Sequence, residues 1–174
     1  PGSYEEDGRV DELVLFLTDN NYDLTLELHY FVFEDRDVIT RSAKLVNNSK
    51  DTVQLMRLMS TQLDFETDDF TFTTFNGCWG REMERHDVPV RAGKVVNSSY
   101  TGGSSSRANP FVMLSKEETS EDSGPCYGLN LIYSGNHYEA VEVNAYHKSR
   151  FVSGINPQSF RFLIGAGESF EAPE

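Results

Sequence analysis

The chain has 174 residues, 38% hydrophobic and 25% charged, with a formal net charge of −13. This length suits one domain with a substantial core, and the hydrophobic content excludes a disordered chain. The 15 Lys and Arg residues are scattered among 28 Asp and Glu residues, which argues against nucleic-acid binding because phosphate contacts need clustered basic groups. The apolar runs are too short for a membrane helix, and the polar start PGSYEEDGRVDE lacks the apolar segment of a signal peptide.

Alternating apolar and polar residues dominate the chain. The segments DLTLELHYFVF (23–33), VITRSAKLVN (38–47), CYGLNLIY (126–133) and YEAVEVNAY (138–146) have the period of half-buried β-strands. Turn residues separate the strands at 19–21, 47–49, 102–103, 123–125, 134–136 and 165–167. The acidic segment SKEETSEDSG (115–124) lacks apolar anchors and predicts a solvated loop. This pattern, without helical stripes, predicts a single all-β domain over residues 1–174, an antiparallel sandwich.

The cysteines and the glycosylation triplets bear on the cellular compartment. Cys78 and Cys126 lie far apart, without a CxxC pair, and we interpret them as two buried thiols in a reducing compartment rather than a disulfide. Asn-x-Ser triplets begin at Asn47 and Asn97, as chance allows in a chain rich in Asn and Ser. We therefore expect a cytoplasmic protein. The four histidines are dispersed without metal-ligand spacing, so neither a metal nor a cofactor is expected.

The segment YTGGSSSRANPF, residues 100–111, is the glycine- and serine-rich loop of the chain. A phosphate-binding loop needs Lys directly after its last Gly, where this chain has Ser104. A nucleophile elbow needs Gly at the position of Arg107. Carboxylates are abundant, but pairs such as Asp68-Asp69 fall in acidic, solvated stretches. The sequence therefore predicts a structural turn here and indicates no catalytic residue.

The segment NGCWGRE, residues 76–82, contains the single Trp of the chain. One interpretation is a sugar-stacking platform in which Trp79 lies beside Arg81 and Glu82. The favoured interpretation is a strand that packs Trp79 into the interior while Arg81 pairs with a carboxylate, because Trp is usually buried.

Four motifs in this order resemble the amino-terminal β-supersandwich domain of family-36 α-galactosidases: NGCWGRE, SSYTGGSSSRANPF, YGLNLIYSGN and GINPQSFRFLIGAGESFEAPE. The similarity covers nearly the whole chain. This chain departs from the family pattern at Ser106, Phe162 and Ala172, where the family has a common His, a Trp and a Thr. The resemblance gives the family-motif residues a mainly structural role. These residues are Trp79, Arg81, Glu82, Ser104, Ser105, Asn109, Pro110, Tyr133, Ser134, Gly135 and Asn136.

The resemblance implies a galactose-mutarotase-like antiparallel β-supersandwich that is incomplete at its N-terminal edge, because the family domain begins further upstream. It also implies that a (β/α)8 barrel beyond residue 174 carries both catalytic Asp residues of a retaining glycosidase, followed by a C-terminal domain. The parent enzyme would hydrolyse terminal α-galactosides such as melibiose and raffinose, without a cofactor. This fragment would then be inactive alone, a scaffold that contacts its own barrel and neighbouring subunits of a homo-oligomer.

Two alternatives belong to other functional classes. A free-standing, lectin-like sandwich would bind carbohydrate through Trp79 and surface tyrosines. An enzyme similar to aldose epimerases, on a related supersandwich, would need a His and a Glu that converge in a cleft, and we identify no such pair in the sequence.

Overall fold

A computed structural model describes residues 10–19 and 21–174. The regular elements of this part are all strands, and they pair in antiparallel fashion, which confirms the all-β class. No helix in the described ranges is long and apolar enough to cross a membrane. Asn20 of the first predicted turn and the polar start up to Arg9 lie outside the described residues. The strands are β1 (Val10–Asp19), β2 (Leu24–Phe33), β3 (Val38–Asn47), β4 (Val53–Leu55), β5 (Met59–Phe65), β6 (Phe70–Cys78), β7 (Arg81–Pro89), β8 (Gly93–Ser98), β9 (Phe111–Lys116), β10 (Cys126–Asn130), β11 (His137–Val143), β12 (Ser149–Ile155), β13 (Phe162–Ile164) and β14 (Ser169–Glu171).

Two compact units divide the chain. The first contains the described residues up to Thr61 together with Pro157–Glu174, and the second is Gln62–Asn156. The single-domain assignment of residues 1–174 stays a prediction.

The first unit is built on a four-stranded sheet with the order β1-β2-β3-β14. β2 and β3 pair along their full length, from Leu24 opposite Asn47 to Phe33 opposite Val38. The strand ends agree with the predicted segments because turn residues stop the alternation at both ends. Among residues 10–19 and 21–174, β1 pairs only with β2 in this sheet, while β13 and β4 form a separate short pair.

Asn47 connects the end of β3 to the turn before β14. Its buried amide Nδ2 lies within hydrogen-bond distance of three carbonyl oxygens, those of Asp51 (2.8 Å), Ile164 (3.0 Å) and Gly165 (3.0 Å). Its Oδ1 accepts from the backbone and hydroxyl of Ser49 (3.1 and 2.7 Å). Since a buried polar group without a partner is costly, this side chain stabilises the fold by satisfying the buried carbonyl of Ile164 and by joining it to the part-buried carbonyls of Asp51 and Gly165.

The second unit contains two four-stranded sheets, β10-β9-β6-β7 and β5-β12-β11-β8, with β5 beginning at Met59. Both sheets supply the hydrophobic core, in which Phe72, Leu114, Val141 and Phe151 are fully buried. Burial of one such side chain stabilises a fold by about 1.5–3 kcal/mol relative to exposure. The sandwich predicted from the alternation is therefore confirmed in this unit.

Two predicted strands end earlier than expected. CYGLNLIY is regular strand only over Cys126–Asn130, and YEAVEVNAY contributes Val143 as its last strand residue. The second strand stops because the side chain of Asn144 accepts from the backbone N–H groups of Tyr146 (2.9 Å) and Lys148 (3.2 Å) and closes a turn.

The cysteines are free, but the expectation that they are buried is wrong, since Cys78 and Cys126 are both exposed. Cys78 lies beside a hairpin tip, and Cys126 begins the edge strand β10. The two Asn-x-Ser triplets are closed to modification in the folded chain, because Asn47 and Asn97 are buried with hydrogen-bonded amides.

We expect Asn47→Ala to lower the free energy of unfolding by about 2–3 kcal/mol, because it removes the donor to the buried carbonyl of Ile164 together with the bonds to Asp51 and Gly165. Urea unfolding followed by far-UV circular dichroism measures this change. Asn48→Ala is the matched control, because the Asn48 amide donates to the Thr25 hydroxyl at an exposed position. This substitution should change the free energy of unfolding by no more than about 0.5 kcal/mol. Equal effects of the two substitutions would contradict the role assigned to Asn47.

Candidate functional site

The motif NGCWGRE forms the tip of a β-hairpin. β6 pairs with β9 only from Phe70 to Thr74, while the β6–β7 pairing continues to Cys78 and Arg81. Residues 75–84 therefore extend past the neighbouring strand as a two-stranded projection, which we call the Trp79 arm. Gly77 is required by space, since a Cβ there would lie 1.7 Å from the carbonyl oxygen of Arg81.

Trp79 is 95% exposed at the tip of this arm, so the expectation that it packs in the interior is wrong. The other half of that interpretation is confirmed, because Arg81 pairs with the Glu84 carboxylate (3.4 Å). Glu82 Oε1 accepts from the backbone N–H of Gly80 (2.6 Å), which holds the turn that carries the indole.

The glycine- and serine-rich loop supports the arm from one side. The amide of Asn76 donates to the carbonyl of Arg107 (2.9 Å), and the backbone N–H of Asn109 donates to the carbonyl of Phe75 (3.0 Å). The rings of Phe75 and Phe111 stack with their centroids 5.7 Å apart. The loop therefore bonds to the base of the arm and brings the first two motifs together.

The loop also contacts the third motif. Ser104 donates its backbone N–H to the carbonyl of Ser134 (2.9 Å), and the N–H of Gly102 donates to Asn136 Oδ1 (2.7 Å). The Tyr133 ring covers Gly135 so closely that a Cβ there would lie 2.4 Å from the phenolic oxygen.

The remaining motif residues close the same region. Ser105 pairs with Ala108 across a tight turn, whose Ala108 N–H donates to the Ser105 carbonyl (3.1 Å). The carbonyl of Pro110 accepts from Leu131 (3.3 Å). The Asn109 side chain accepts from the backbone N–H of Phe111 (2.9 Å). The predicted motif residues thus bond mainly to one another's backbone.

A buried acid–base pair lies under this loop. His137 and Glu139 occupy the same face of β11, and their side chains are 0% and 1% exposed. His137 Nδ1 contacts both Glu139 carboxylate oxygens (3.0 and 2.8 Å). Its Nε2 donates to the carbonyl of Ala108 (2.8 Å). Asn97, directly opposite Glu139 on β8, donates to that carboxylate (2.9 Å) and to the carbonyl of Asn109 (2.8 Å).

The protonation of this pair follows from its contacts. A carbonyl oxygen only accepts, so Nε2 carries a hydrogen, and one further proton is shared between Nδ1 and the carboxylate. Burial alone would lower the pKa of His137, but the hydrogen bond and charge of Glu139 and the Ala108 carbonyl outweigh it and raise that pKa. Burial raises the pKa of Glu139, although the hydrogen bonds from His137 and Asn97 and the charge of His137 act to lower that pKa. The contacts of the ring, a carbonyl at Nε2 and two carboxylate oxygens at Nδ1, require one proton between His137 and Glu139.

The polar atoms of the pair are bonded within the protein, and no face of it is open to solvent. A catalytic acid or base must reach the proton that it moves in a bound substrate. His137 and Glu139 therefore hold the loop in place. Sequence reasoning missed this pair because the predicted strand began at Tyr138, one residue after His137. In the structure β11 includes both residues, and the H-x-E spacing places their side chains on one face.

The raised pKa of His137 predicts a pH-dependent stability. The contribution of protonated His137 to the free energy of unfolding is fully present below pH about 6.5, the pKa of histidine in the unfolded chain. It is lost as the pH rises through the higher pKa of His137 in the folded chain. In that window the free energy of unfolding should fall with a slope approaching about 1.4 kcal/mol per pH unit for one proton. Urea titrations at successive pH values measure the slope.

His137→Gln should remove this fall in the free energy of unfolding at alkaline pH. The variant should also be less stable than the wild type at every pH. His147→Asn is the control, because His147 is exposed, its contact with Asp68 (2.6 Å) lies at the surface, and its left-handed backbone (φ 57°) suits Asn. The control should keep the wild-type slope, and a slope that survives in His137→Gln would contradict the assignment.

Comparison with known proteins places these motifs in a family. Residues 1–164 match the glycosyl hydrolase family 36 N-terminal domain. The α-galactosidase AgaA of Geobacillus stearothermophilus is 35% identical over 100% of this chain and 24% of its own length. The α-galactosidase Mel36A of Lactobacillus acidophilus is 34% identical over 98% of this chain and 23% of its own.

Solved structures agree with these relatives. The α-galactosidase of Lactobacillus brevis superimposes with a TM-score of 0.94 at 37% identity, over 97% of this chain and 23% of that chain. A variant of AgaA in complex with stachyose gives a TM-score of 0.93 at 35% identity, over 95% of this chain and 23% of that chain. The chain thus spans about a quarter of the length of these relatives. It belongs to the N-terminal domain family of family-36 glycosyl hydrolases, which confirms the resemblance drawn from the four motifs.

Proposed function

We propose that this chain is the non-catalytic N-terminal domain of an α-galactosidase, with a scaffolding and oligomerisation role. The observation that carries the proposal is the closed His137–Glu139 pair, because this buried acid and base support a loop and leave no atom for a substrate. The motif residues around the pair likewise bond to each other.

The proposed substrates of the parent enzyme are terminal α-galactosides such as melibiose and raffinose. Variants of AgaA have been solved with stachyose and with raffinose bound, and the relatives carry the name α-galactosidase. A retaining glycosidase needs two carboxyl groups about 5–5.5 Å apart on either side of the scissile bond. We place that pair in the part of the parent polypeptide beyond this chain.

A second candidate function is carbohydrate binding by the chain itself. The exposed Trp79 favours it, because an aromatic face in water is a surface on which a sugar ring can stack. We also propose a cytoplasmic location, supported by the two free cysteines, which an oxidising compartment would tend to pair or modify.

We expect this chain alone to release no chromophore from a chromogenic α-galactoside, while the parent polypeptide, extended through the catalytic part, hydrolyses it. The reason is that the buried acid–base pair of the second unit is sealed from substrate. Turnover by the 174-residue chain, or none by the parent, would overturn the proposal.

The carbohydrate-binding alternative has its own measurement. Trp79 is the single Trp of the chain, so its fluorescence reports directly on this site. Titration with galactose and melibiose should leave its emission unchanged under the scaffold proposal. A saturable shift, together with sugar binding that isothermal titration calorimetry detects in the wild-type chain and not in Trp79→Ala, would favour the lectin-like function instead.

A further inference from the structure

The His137 ring holds the glycine- and serine-rich loop by a hydrogen bond that depends on the proton shared with Glu139. The ring Nε2 donates to the carbonyl of Ala108 (2.8 Å), and Nδ1 faces both carboxylate oxygens of Glu139 (3.0 and 2.8 Å). A carbonyl and an ionised carboxylate only accept hydrogen bonds. Both contacts of the ring are therefore satisfied only while the pair carries two hydrogens, one at each ring nitrogen.

Loss of one proton leaves a single hydrogen for these two contacts. A hydrogen bond to an ionised group is about twice as strong as one between neutral groups. Glu139 is 1% exposed, so its charge has no access to water and depends on its donors within the protein. The remaining hydrogen therefore stays on Nδ1 of His137, beside the carboxylate. Nε2 then presents a lone pair to the carbonyl of Ala108, and the two acceptors repel each other.

The loop is the part of this network that can yield. Ala108 is buried, but it lies between the exposed Arg107 and the half-buried Asn109. A buried carbonyl without a donor is costly, whereas a carbonyl that reaches water is satisfied. A small rotation of the tight turn that begins at Ser105 would bring the Ala108 carbonyl to the solvent.

The titration belongs to the pair itself. In the part of the chain that the structure describes, the charge that acts on His137 is that of Glu139, and the charge that acts on Glu139 is that of His137. β8 presents Asn97 to the carboxylate, β12 places Ser153 directly opposite Glu139, and the loop presents backbone carbonyls. None of these three groups titrates. The raised pKa of His137 puts the loss of the proton above the ordinary range of histidine.

The same stretch of the loop supports the Trp79 arm. The carbonyl of Arg107 accepts from the Asn76 amide (2.9 Å), and the N–H of Asn109 donates to the carbonyl of Phe75 (3.0 Å). Arg107 and Asn109 flank Ala108 in the chain, so a rotation there displaces both groups. Detachment of the loop therefore removes hydrogen bonds from the base of the arm.

We propose that the proton shared by His137 and Glu139 is a switch that controls the order of the loop and of the Trp79 arm. While the proton is bound, the ring donates to Ala108 and the base of the arm is held. When the proton leaves, the ring changes tautomer, the loop detaches at Ala108 and the arm gains mobility. The core stays folded because its large buried side chains, such as Phe72 and Phe151, lie in strands outside the loop. The switch is independent of the activity proposed for the parent enzyme.

The ring nitrogens of His137 report the first step directly. Long-range proton–nitrogen correlation spectra of the isotope-labelled 174-residue chain should be recorded from about pH 6 to about pH 10, across the raised pKa. Both ring nitrogens should carry a hydrogen at the low end of this range. Above the transition Nδ1 should keep its hydrogen and Nε2 should lose it. A ring that keeps the hydrogen on Nε2 after the transition, or that does not titrate in this range, would overturn the inference.

Nuclear spin relaxation in the same samples reports the second step. The backbone order parameters of residues 77–82 should fall from about 0.85, the value of a rigid backbone, to below about 0.6, with the midpoint of the ring titration. Those of residues 139–143 in β11 should stay near the rigid value. An arm that remains rigid after Nε2 loses its hydrogen would refute the coupling between pair and arm.

Three variants identify the group that controls the arm. His137→Gln has no titrating ring, so the order parameters of the arm should no longer follow pH. His86→Gln is the matched control, because His86 is an exposed histidine on β7 beside the arm, and this variant should keep the wild-type pH dependence. Asn76→Ala removes the bond to Arg107 and should leave the arm mobile at every pH while the His137 ring still titrates. Mobility that follows pH in His137→Gln, or that loses its pH dependence in His86→Gln, would contradict the switch.

Discussion

One proton shared between His137 and Glu139, sealed from solvent, is the constraint on which the motif region depends. Water reaches neither side chain, so each polar atom must find its partner within the protein. The carbonyl of Ala108 accepts a hydrogen bond from the His137 ring. The Asn97 amide donates both to the Glu139 carboxylate and to the carbonyl of Asn109. These bonds hold the loop in one path. Replacing one member would leave an uncompensated buried group, which is far more costly than losing a surface pair.

The buried pair is connected through the loop to the hairpin at the protein surface. The loop that it holds also bonds to Asn76 and Phe75 at the base of the hairpin. A chain of hydrogen bonds and one aromatic stack thus connects a buried acid–base pair with an exposed indole. Buried polar networks of this kind specify a conformation when every member is satisfied. Here the specified conformation presents Trp79 to solvent.

The motif residues could be identified in advance, but their contacts could not. The order of four short motifs indicated the family, and with it a structural role for Ser104, Asn109 and Asn136. Pairing of Arg81 with a carboxylate was also expected from its chemistry. The burial of Trp79 was expected from residue type and is wrong, because Trp79 lies at the tip of a hairpin that extends past the end of β9. The His137–Glu139 pair was missed because its effect depends on Asn97 and Ala108, which are distant in sequence.

The sequence by itself indicated the alternating faces of β2, β3, β10 and β11, because side chains alternate with a period of two and turn residues interrupt the alternation. The register of β2 against β3 follows from the same pattern. Only the tertiary structure decided which of the alternating faces are covered. Periodicity gives the same signal for both outcomes: Val141 is buried in the core, whereas Leu13 and Ile39 are exposed. Coverage depends on neighbours far along the chain, and a local pattern carries no information about them.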